Sequence, residues 1–279
     1  MTAYSNKVLR KLQLTQLEIL TEVVRICHSN KLRYYLIGGT LLGAIRHKGF
    51  IPWDDDLDIA MPRKDFVKFI SICPSELNSC YFLHYYTADF NYYLPFVKVR
   101  KNGTLYSEPA LKNLQCHKGI FIDIFPIDNA PHKYSIIQFI QAKIMKFIGA
   151  LKLYKIGITK KPSNKLKIAA FFTSKMSMRK LSIIEEKIMT LYNKKQTKYY
   201  VNLGSNYNFK KQTFEKDIYD EPVLVMFEKK QFYAPKNWEF ILKQIYGDYM
   251  KLPPVEKRGK RHNVVKIDFG EERDSNEKV

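Results

Sequence analysis

Short segments with the apolar pattern of strands alternate with segments of helical pattern in the first third of the chain. Residues 32–39, "LRYYLIGG", predict a buried strand closed by two glycines, and residues 40–49, "TLLGAIRHKG", predict a short helix. Residues 57–61, "LDIAM", predict the next strand, and residues 63–73, "RKDFVKFISIC", the next helix. This alternation is typical of an α/β or α+β core. We expect an α+β fold, a mixed sheet flanked by helices.

The composition divides the 279 residues into three parts. Residues 1–131 contain the alternating strands and helices and predict the core of the protein. Residues 132–200 predict a basic helical insertion. Residues 201–279 mix short strands with one helix, and we expect this α/β extension to complete the core domain, with an acidic tail that frays.

The insertion is strongly basic. Residues 132–200 contain sixteen Lys or Arg residues but only two acidic ones, Glu185 and Glu186. Residues 134–158 place apolar side chains at helical spacing among the lysines. Two interpretations remain open: an ordinary surface helix packed on the core, or a helix that contacts a membrane or an anionic polymer.

The net charge of the chain is +20, which indicates an anionic partner such as nucleic acid, a membrane surface or a phosphorylated substrate. Nucleic acid is disfavoured because aromatic RNA-binding motifs are absent from the sequence. The four cysteines have no metal-binding or disulfide-framework spacing, which fits a reducing compartment. Neither a secretory leader pattern nor a long apolar run is present. We expect a cytoplasmic protein that can contact the inner face of the membrane peripherally.

An acidic cluster interrupts this basic chain. The stretch "IPWDDDLDIAMPRKDF" contains Asp54, Asp55, Asp56 and Asp58. Asp56 and Asp58 lie two residues apart at the start of a predicted strand, so their side chains share a face. Two such carboxylates repel each other unless a cation lies between them, and Mg²⁺ or Mn²⁺ is the simplest candidate. The alternative for each aspartate alone is a turn or a helix cap.

A glycine turn and a third carboxylate extend this candidate site. Gly38 and Gly39 allow the backbone to approach a phosphate closely, and a helix beginning near Thr40 would supply free N–H donors. Asp123 lies inside the apolar strand "GIFIDIFPID", where a carboxylate is costly to bury without a cation. We therefore expect Asp123 to join Asp56 and Asp58 as a metal ligand or catalytic group. Asp128, beyond Pro126, is the alternative, although a turn residue is its expected identity.

Three segments strongly resemble the LicD family: residues 38–66, "GGTLLGAIRHKGFIPWDDDLDIAMPRKDF"; residues 118–128, "KGIFIDIFPID"; and residues 245–254, "IYGDYMKLPP". The resemblance covers residues 14–262 and is weakest over the basic insertion. It implies a phosphocholine transferase with a nucleotidyltransferase-like fold, distantly related to the fukutin-related enzymes. It also implies that the glycines and the aspartate pair are the nucleotide and metal elements, with Asp123 as the later strand carboxylate.

The activity implied by the resemblance is transfer of a phospho-alcohol from a CDP-alcohol to a sugar hydroxyl, with release of CMP. The alcohol stays open among choline, ethanolamine, ribitol and glycerol. The acceptor stays open among teichoic acid, lipooligosaccharide and a capsule repeat, free or linked to a lipid. A rival hypothesis keeps the fold but transfers a nucleotidyl group from a nucleoside triphosphate to a small molecule or RNA, releasing pyrophosphate.

Five basic residues are candidates for binding the diphosphate of such a donor. Arg46 and Lys48 lie one helical turn or more beyond the glycines, and Lys98 and Arg100 alternate on one face of a predicted strand. Arg258 lies in a basic segment near the C-terminus. Each could instead be an ordinary surface charge, least so Lys98, which is surrounded by apolar residues.

Overall fold

The computed structural model describes residues 5–111, 114–133, 135–259, 262 and 264–270. The helices are α1 (Asn6–Ser29), α2 (Gly38–His47), α3 (Arg63–Glu76), α4 (Ile136–Lys155), α5 (Asn164–Phe172), α6 (Met178–Met189) and α7 (Trp238–Tyr246). The strands are β1 (Tyr35–Leu36), β2 (Asp58–Pro62), β3 (Tyr81–His84), β4 (Val97–Lys101), β5 (Leu105–Ser107), β6 (Phe121–Ala130), β7 (Tyr199–Val201), β8 (Thr213–Glu215), β9 (Val223–Phe227), β10 (Lys230–Ala234) and β11 (Lys266–Asp268). No helix within these residues is long and apolar enough to cross a bilayer.

A mixed sheet in the order β1-β2-β6-β4-β3 forms the centre of the protein, and β7 and β8 extend it from β6. The β2–β6 pair is parallel, and the other pairs are antiparallel. Two smaller sheets pair β9 with β10 and β5 with β11. The α+β fold class, a mixed sheet flanked by helices, is confirmed.

The sequence predicts that this strand ends at Pro126, but β6 continues through Pro126 to Ala130. The N–H of Asp123 donates to the Leu57 carbonyl on the β2 side, so the nitrogen of Pro126, three residues on, faces the opposite side. Pairing with β4 on that side has already ended at Ile124, so the missing N–H of Pro126 costs no ladder hydrogen bond.

Helix α1 holds the acidic loop against the sheet. Its buried face packs on β4, β6 and α3. Two buried glutamines on that face donate to the loop backbone: Gln13 Nε2 to the Asp54 carbonyl at 3.0 Å, and Gln16 Nε2 to the Asp55 carbonyl at 2.9 Å. Buried amides that each bind a backbone carbonyl fix the path of a loop, so the aspartates start from a defined backbone.

Within its described residues, the basic insertion forms three helices. Helices α4, α5 and α6 meet around Leu151, Leu166 and Leu181, which form an apolar cluster of their own. Helix α6 leads into β7, so this region returns to the sheet. The division into residues 1–131, 132–200 and 201–279 remains a prediction. The predicted fraying tail, residues 270–279, lies outside the described residues except for Gly270.

Candidate active site

Three charged side chains lie in one row across the sheet. Asp58 on β2 lies opposite Asp123 on β6, and Lys98 on β4 lies opposite Asp123 from the other side. Paired residues on neighbouring strands point to the same face, so the row spans three strands. Asp56 precedes the row by two residues and lines the same cavity as its members. The structure therefore brings together all three carboxylates that the sequence predicts.

Lys98 and Asp123 form a buried ion pair. Lys98 Nζ lies 2.5 Å from Asp123 Oδ1, and the two residues are 6% and 7% exposed. The ammonium also lies 3.4 Å from the centroid of the Phe121 ring, a close cation–π contact. Burial raises the pKa of Asp123, although the Lys98 ammonium acts to lower it. Burial lowers the pKa of Lys98, although Asp123 acts to raise it. A carboxylate with a raised pKa is better matched to accepting a proton near neutral pH.

Arg100 is buried beside this pair and is held by neutral groups. Its Nε donates to Nδ1 of His84, and its NH1 to the carbonyl of Gly119, both at 2.7 Å. Because Nδ1 of His84 accepts, the ring proton lies on Nε2, which donates to Asp89 at 2.8 Å. Burial lowers the pKa of His84 to about 4, although Asp89 opposes this, so the ring is neutral at pH 7. These bonds orient the guanidinium without neutralising its charge, and Arg100 keeps a positive charge at the cavity wall.

The turn from β1 into α2 fixes the backbone of Asp58. The Asp58 N–H donates to Thr40 Oγ1 at 2.8 Å, and the Asp58 carbonyl accepts from the N–H of Ile37 at 3.3 Å. Gly38 adopts a φ of +56°, and a Cβ at that position would lie 3.3 Å from Asp58 Oδ2. Helix α2 begins at Gly38 rather than at Thr40 as expected, so Thr40 lies in its first turn and uses its hydroxyl to position Asp58.

Oxygens of Asp54, Asp55 and Asp56 all lie within 4.8 Å of one another. Among the described residues, these are the three acidic side chains that are close enough to share one ion, so Asp56 is the member common to this group and to the predicted set. Asp55 is fully buried, and its Oδ1 lies 3.3 Å from Nδ1 of His262. Burial acts to lower the pKa of His262, but Asp55 outweighs it and the pKa is raised.

The carboxylates of Asp56 and Asp58 suit a hard divalent cation by their chemistry, although among the described residues Asp56, Asp58 and Asp123 do not form a group close enough to share one ion. Asp56 and Asp58 are partly exposed and line one cavity, and their hard carboxylate oxygens are the donors that Mg²⁺ and Mn²⁺ prefer. Asp123 shares the cavity but already pairs with Lys98 through one oxygen. The chemistry of the donor set therefore favours Asp56 and Asp58 as the first two ligands.

The cavity has a volume of about 360 Å³. Its charged and polar lining includes Asp56, Asp58, His84, Asn91, Lys98, Arg100, Glu108, Lys118, Asp123, Ser205, Asn206 and His262. Its aromatic lining includes Tyr92, Tyr93, Phe96, Tyr106, Phe121, Phe125 and Tyr207. Carboxylates on one side and buried cations on another suit a ligand that carries both a metal ion and phosphate groups.

Three of the predicted diphosphate-binding residues lie elsewhere and do not line this cavity. Arg46 donates to the carbonyl of Tyr249 at 2.7 Å, and Lys48 is exposed at the end of α2. Arg258 stacks on Trp53, with its guanidinium carbon 5.2 Å from the ring centroid. Arg46 and Arg258 therefore serve the packing of the segment around residues 249–258 in this structure.

Asp128 is not the turn residue that the sequence suggests. It lies fully buried in β6 and forms a two-point ion pair with Arg63, with both distances 2.7 Å. Because β6 continues past Pro126, Asp128 sits inside the sheet, where its charge requires a partner. Its role is structural: it joins β6 to the start of α3.

Sequence reasoning missed several residues of the cavity. His84 gives no signal in the sequence, because its role depends on Arg100 of the neighbouring strand. The segment 204–207, after β7, also lines the cavity, and only the pairing of β7 with β6 brings it there. Its content of Gly, Ser and Asn marks a loop but not a site.

A family profile described as "LicD/FKTN/FKRP, nucleotidyltransferase domain" matches residues 31–147. The chain is 32% identical to lipopolysaccharide cholinephosphotransferase LicD of Haemophilus influenzae over 270 residues, which cover 91% of this chain and 96% of that protein. It is also 46% identical over 43 residues to ribitol 5-phosphate transferase FKRP of mouse and of human, which cover 15% of this chain and 9% of those proteins.

Proposed function

Since this chain belongs to the LicD family, we propose that it transfers a phospho-alcohol, with phosphocholine the first candidate, from a CDP-alcohol to a sugar hydroxyl. The acceptor is a cell-surface glycan or its lipid-linked precursor, and CMP is released. The two kinds of relative are named for transfer of choline phosphate and of ribitol phosphate. The similarity to the choline enzyme extends over nearly the whole chain, which favours choline.

The observation that carries the proposal is the row of Asp58, Asp123 and Lys98 inside one cavity. Transfer of a phosphoryl group between two oxygens requires little covalent chemistry from the protein, and depends on positioning and charge stabilisation. A site for this reaction therefore needs carboxylates for a cation and fixed positive charge for the phosphates. Both lie on one face of this sheet.

Each residue has a role in the proposed reaction. Asp56 and Asp58 would hold Mg²⁺ or Mn²⁺, which when bound neutralises negative charge on the diphosphate. Arg100 and Lys98 hold positive charge at the wall against which the phosphates lie. The acceptor hydroxyl attacks the phosphorus that carries the alcohol, the bond to the bridging oxygen breaks, and CMP leaves. Asp123, with its pKa raised by burial, accepts the hydroxyl proton.

The test is a donor panel. The purified protein is incubated with Mg²⁺, a phosphocholine-free glycan extract and one of CDP-choline, CDP-ethanolamine, CDP-ribitol or CDP-glycerol, and CMP release is followed. We expect CMP from CDP-choline, with the activity removed by EDTA and restored by Mg²⁺. Absence of CMP from every donor, together with pyrophosphate release from a nucleoside triphosphate, would replace this proposal with nucleotidyl transfer.

A further inference from the structure

Helix α4 exposes a stripe of large apolar side chains. Ile136, Ile140, Ile144 and Phe147 are 77%, 50%, 41% and 42% exposed. At 3.6 residues per turn, their spacing confines them to an arc of about 80° on the helix. Single exposed apolar residues are ordinary, but a continuous stripe of this size marks a surface that binds something.

The opposite face of α4 is more polar than a core-facing surface usually is. Gln138, Gln141 and Lys152 are buried there. Gln138 Nε2 donates to Thr213 Oγ1 at 2.7 Å, and Lys152 Nζ lies 2.5 Å from Glu185 Oε2. A helix that belongs only to a globular surface turns its apolar side chains inward and its polar ones outward. Helix α4 buries these three polar side chains along with four apolar ones, and it presents isoleucine and phenylalanine to solvent.

Helix α5 packs on α4 and carries a second exposed apolar patch. Its Ile168, Phe171 and Phe172 are 58%, 76% and 80% exposed and lie three and four residues apart, which is one face of a helix. Helices α5 and α4 pack together through the cluster that contains Leu151 and Leu166. The exposed residues of the two helices form what we call the α4–α5 surface.

Positive charge accompanies this surface. Lys143 and Lys146 on α4 and Lys165 and Lys167 on α5 are exposed. The two acidic residues of this region point to partners within the protein: Glu185 pairs with Lys152, and Glu186 accepts from Arg63 and from the hydroxyl of Tyr86. Lysine stems can lie along an apolar surface while their ammonium groups remain in water. Apolar side chains among exposed lysines match the interface of an anionic bilayer.

We propose that the α4–α5 surface docks on an anionic phospholipid bilayer, with its isoleucines and phenylalanines inserted among the acyl chains near the headgroups and its lysines at the lipid phosphates. Charge complementarity selects this occupant. A second copy of the chain would bring the same lysines face to face, whereas an anionic bilayer neutralises them. The inference does not depend on which phospho-alcohol the cavity accepts.

The experiment is co-sedimentation of the full chain with vesicles at low salt. One set of vesicles contains phosphatidylcholine alone, and the other contains phosphatidylcholine with phosphatidylglycerol. The apolar variant is Phe171→Ser/Phe172→Ser, and its matched control is Phe90→Ser, which removes a phenylalanine that is 83% exposed outside the surface. Circular dichroism and thermal melting identify any variant that fails to fold.

A charge variant separates the contribution of the lysines. Lys143→Glu/Lys146→Glu changes the surface, and Lys7→Glu/Lys64→Glu makes the same change in net charge at exposed positions elsewhere. We expect the wild type to bind the anionic vesicles in preference to the neutral ones. The serine pair and the surface glutamate pair should each lower the partition coefficient roughly tenfold or more, and their controls less than about threefold.

Three results would overturn the proposal. The first is no sedimentation of the wild type with anionic vesicles at low salt. The second is equal binding by the serine pair and by Phe90→Ser. The third is a dimer, seen by sedimentation velocity without lipid, that the serine pair dissociates, because the surface would then join two copies. The vesicle assay does not measure CMP release. The donor panel can therefore fail while the vesicle result stands, and the vesicle assay can fail while the donor panel succeeds.

Discussion

Removing Lys98 should destabilise the protein by leaving Asp123 buried without its partner. Loss of one member of a buried ion pair costs about 3–5 kcal/mol, and Lys98→Met retains the apolar stem, so the cost comes from the charge. Adding Asp123→Asn removes the remaining charge. The double variant loses the ion pair and the cation–π contact with Phe121 but no longer buries either charge, and replacing both members of a buried ion pair with uncharged residues is often close to neutral. The second substitution should therefore restore stability.

Urea unfolding followed by circular dichroism, in EDTA at pH 7, measures both variants. Lys101→Met is the matched control on the same strand: its ammonium lies 2.6 Å from Glu18, but the side chains are 29% and 54% exposed. An exposed pair contributes at most about 1 kcal/mol. If Lys98→Met loses no more stability than Lys101→Met, or if Asp123→Asn destabilises the Lys98→Met protein further, then the buried charge of Asp123 does not depend on Lys98.

Three further predictions concern the site and its support. Asp58→Asn should abolish CMP release while the melting temperature stays near that of wild type. Asp217→Asn, at an exposed position, is the control and should keep full activity. Activity in the Asp58 variant would exclude the metal assignment. Gly38→Ala should lower kcat/KM at least tenfold, because its Cβ would lie 3.3 Å from Asp58 Oδ2. The control is Gly103→Ala, which is also at positive φ but has no neighbour within 4 Å and should leave kcat/KM unchanged. Equal effects of the two variants on kcat/KM would point to backbone strain alone. Burial lowers the pKa of His84 to about 4, below its ordinary 6.5. The contribution of the buried neutral ring to the unfolding free energy is therefore fully present above pH 6.5. It is lost as the pH falls toward 4, because the unfolded chain takes up the proton first. Unfolding free energy from pH 6.5 to pH 5 should fall by about 2 kcal/mol more in wild type than in His84→Gln, and parallel curves for the two proteins would contradict this.

The sequence alone predicts the fold class. Within the acidic segment, it also predicts which side chains lie on the same side of the chain. Asp56 and Asp58 lie two residues apart and both line the cavity, as strand geometry predicts, although β2 begins only at Asp58. The placement of Asp123 beside Asp58 was inferred from the cost of burying a carboxylate, and the parallel register of β2 and β6 now gives it a position. The side of a strand on which a residue lies can be read from the sequence, because it depends only on residues that are neighbours along the chain.

What the sequence could not supply is which distant segments meet. Arg46 and Arg100 are both basic residues near the predicted site, yet Arg46 donates to a backbone carbonyl of the C-terminal segment and Arg100 lines the cavity beside His84. Pro126 gives Asp128 the sequence context of a turn residue. Asp128 lies in a strand instead, because the pairing of β6 with β4 ends at Ile124 and leaves room for Pro126 within the strand. These outcomes depend on tertiary register, which the pattern along one strand does not encode.

We propose that Asp56 and Asp58 hold the divalent cation that a CDP-alcohol requires in this cavity. Crystals soaked in Mn²⁺ with CDP-choline, measured at a wavelength where manganese scatters anomalously, test it directly. We expect an anomalous peak within ligand distance of both carboxylates, with the diphosphate of the donor beside it and beside Arg100. A peak elsewhere, or a bound donor with no peak between these two side chains, would show that Asp56 and Asp58 do not hold the cation.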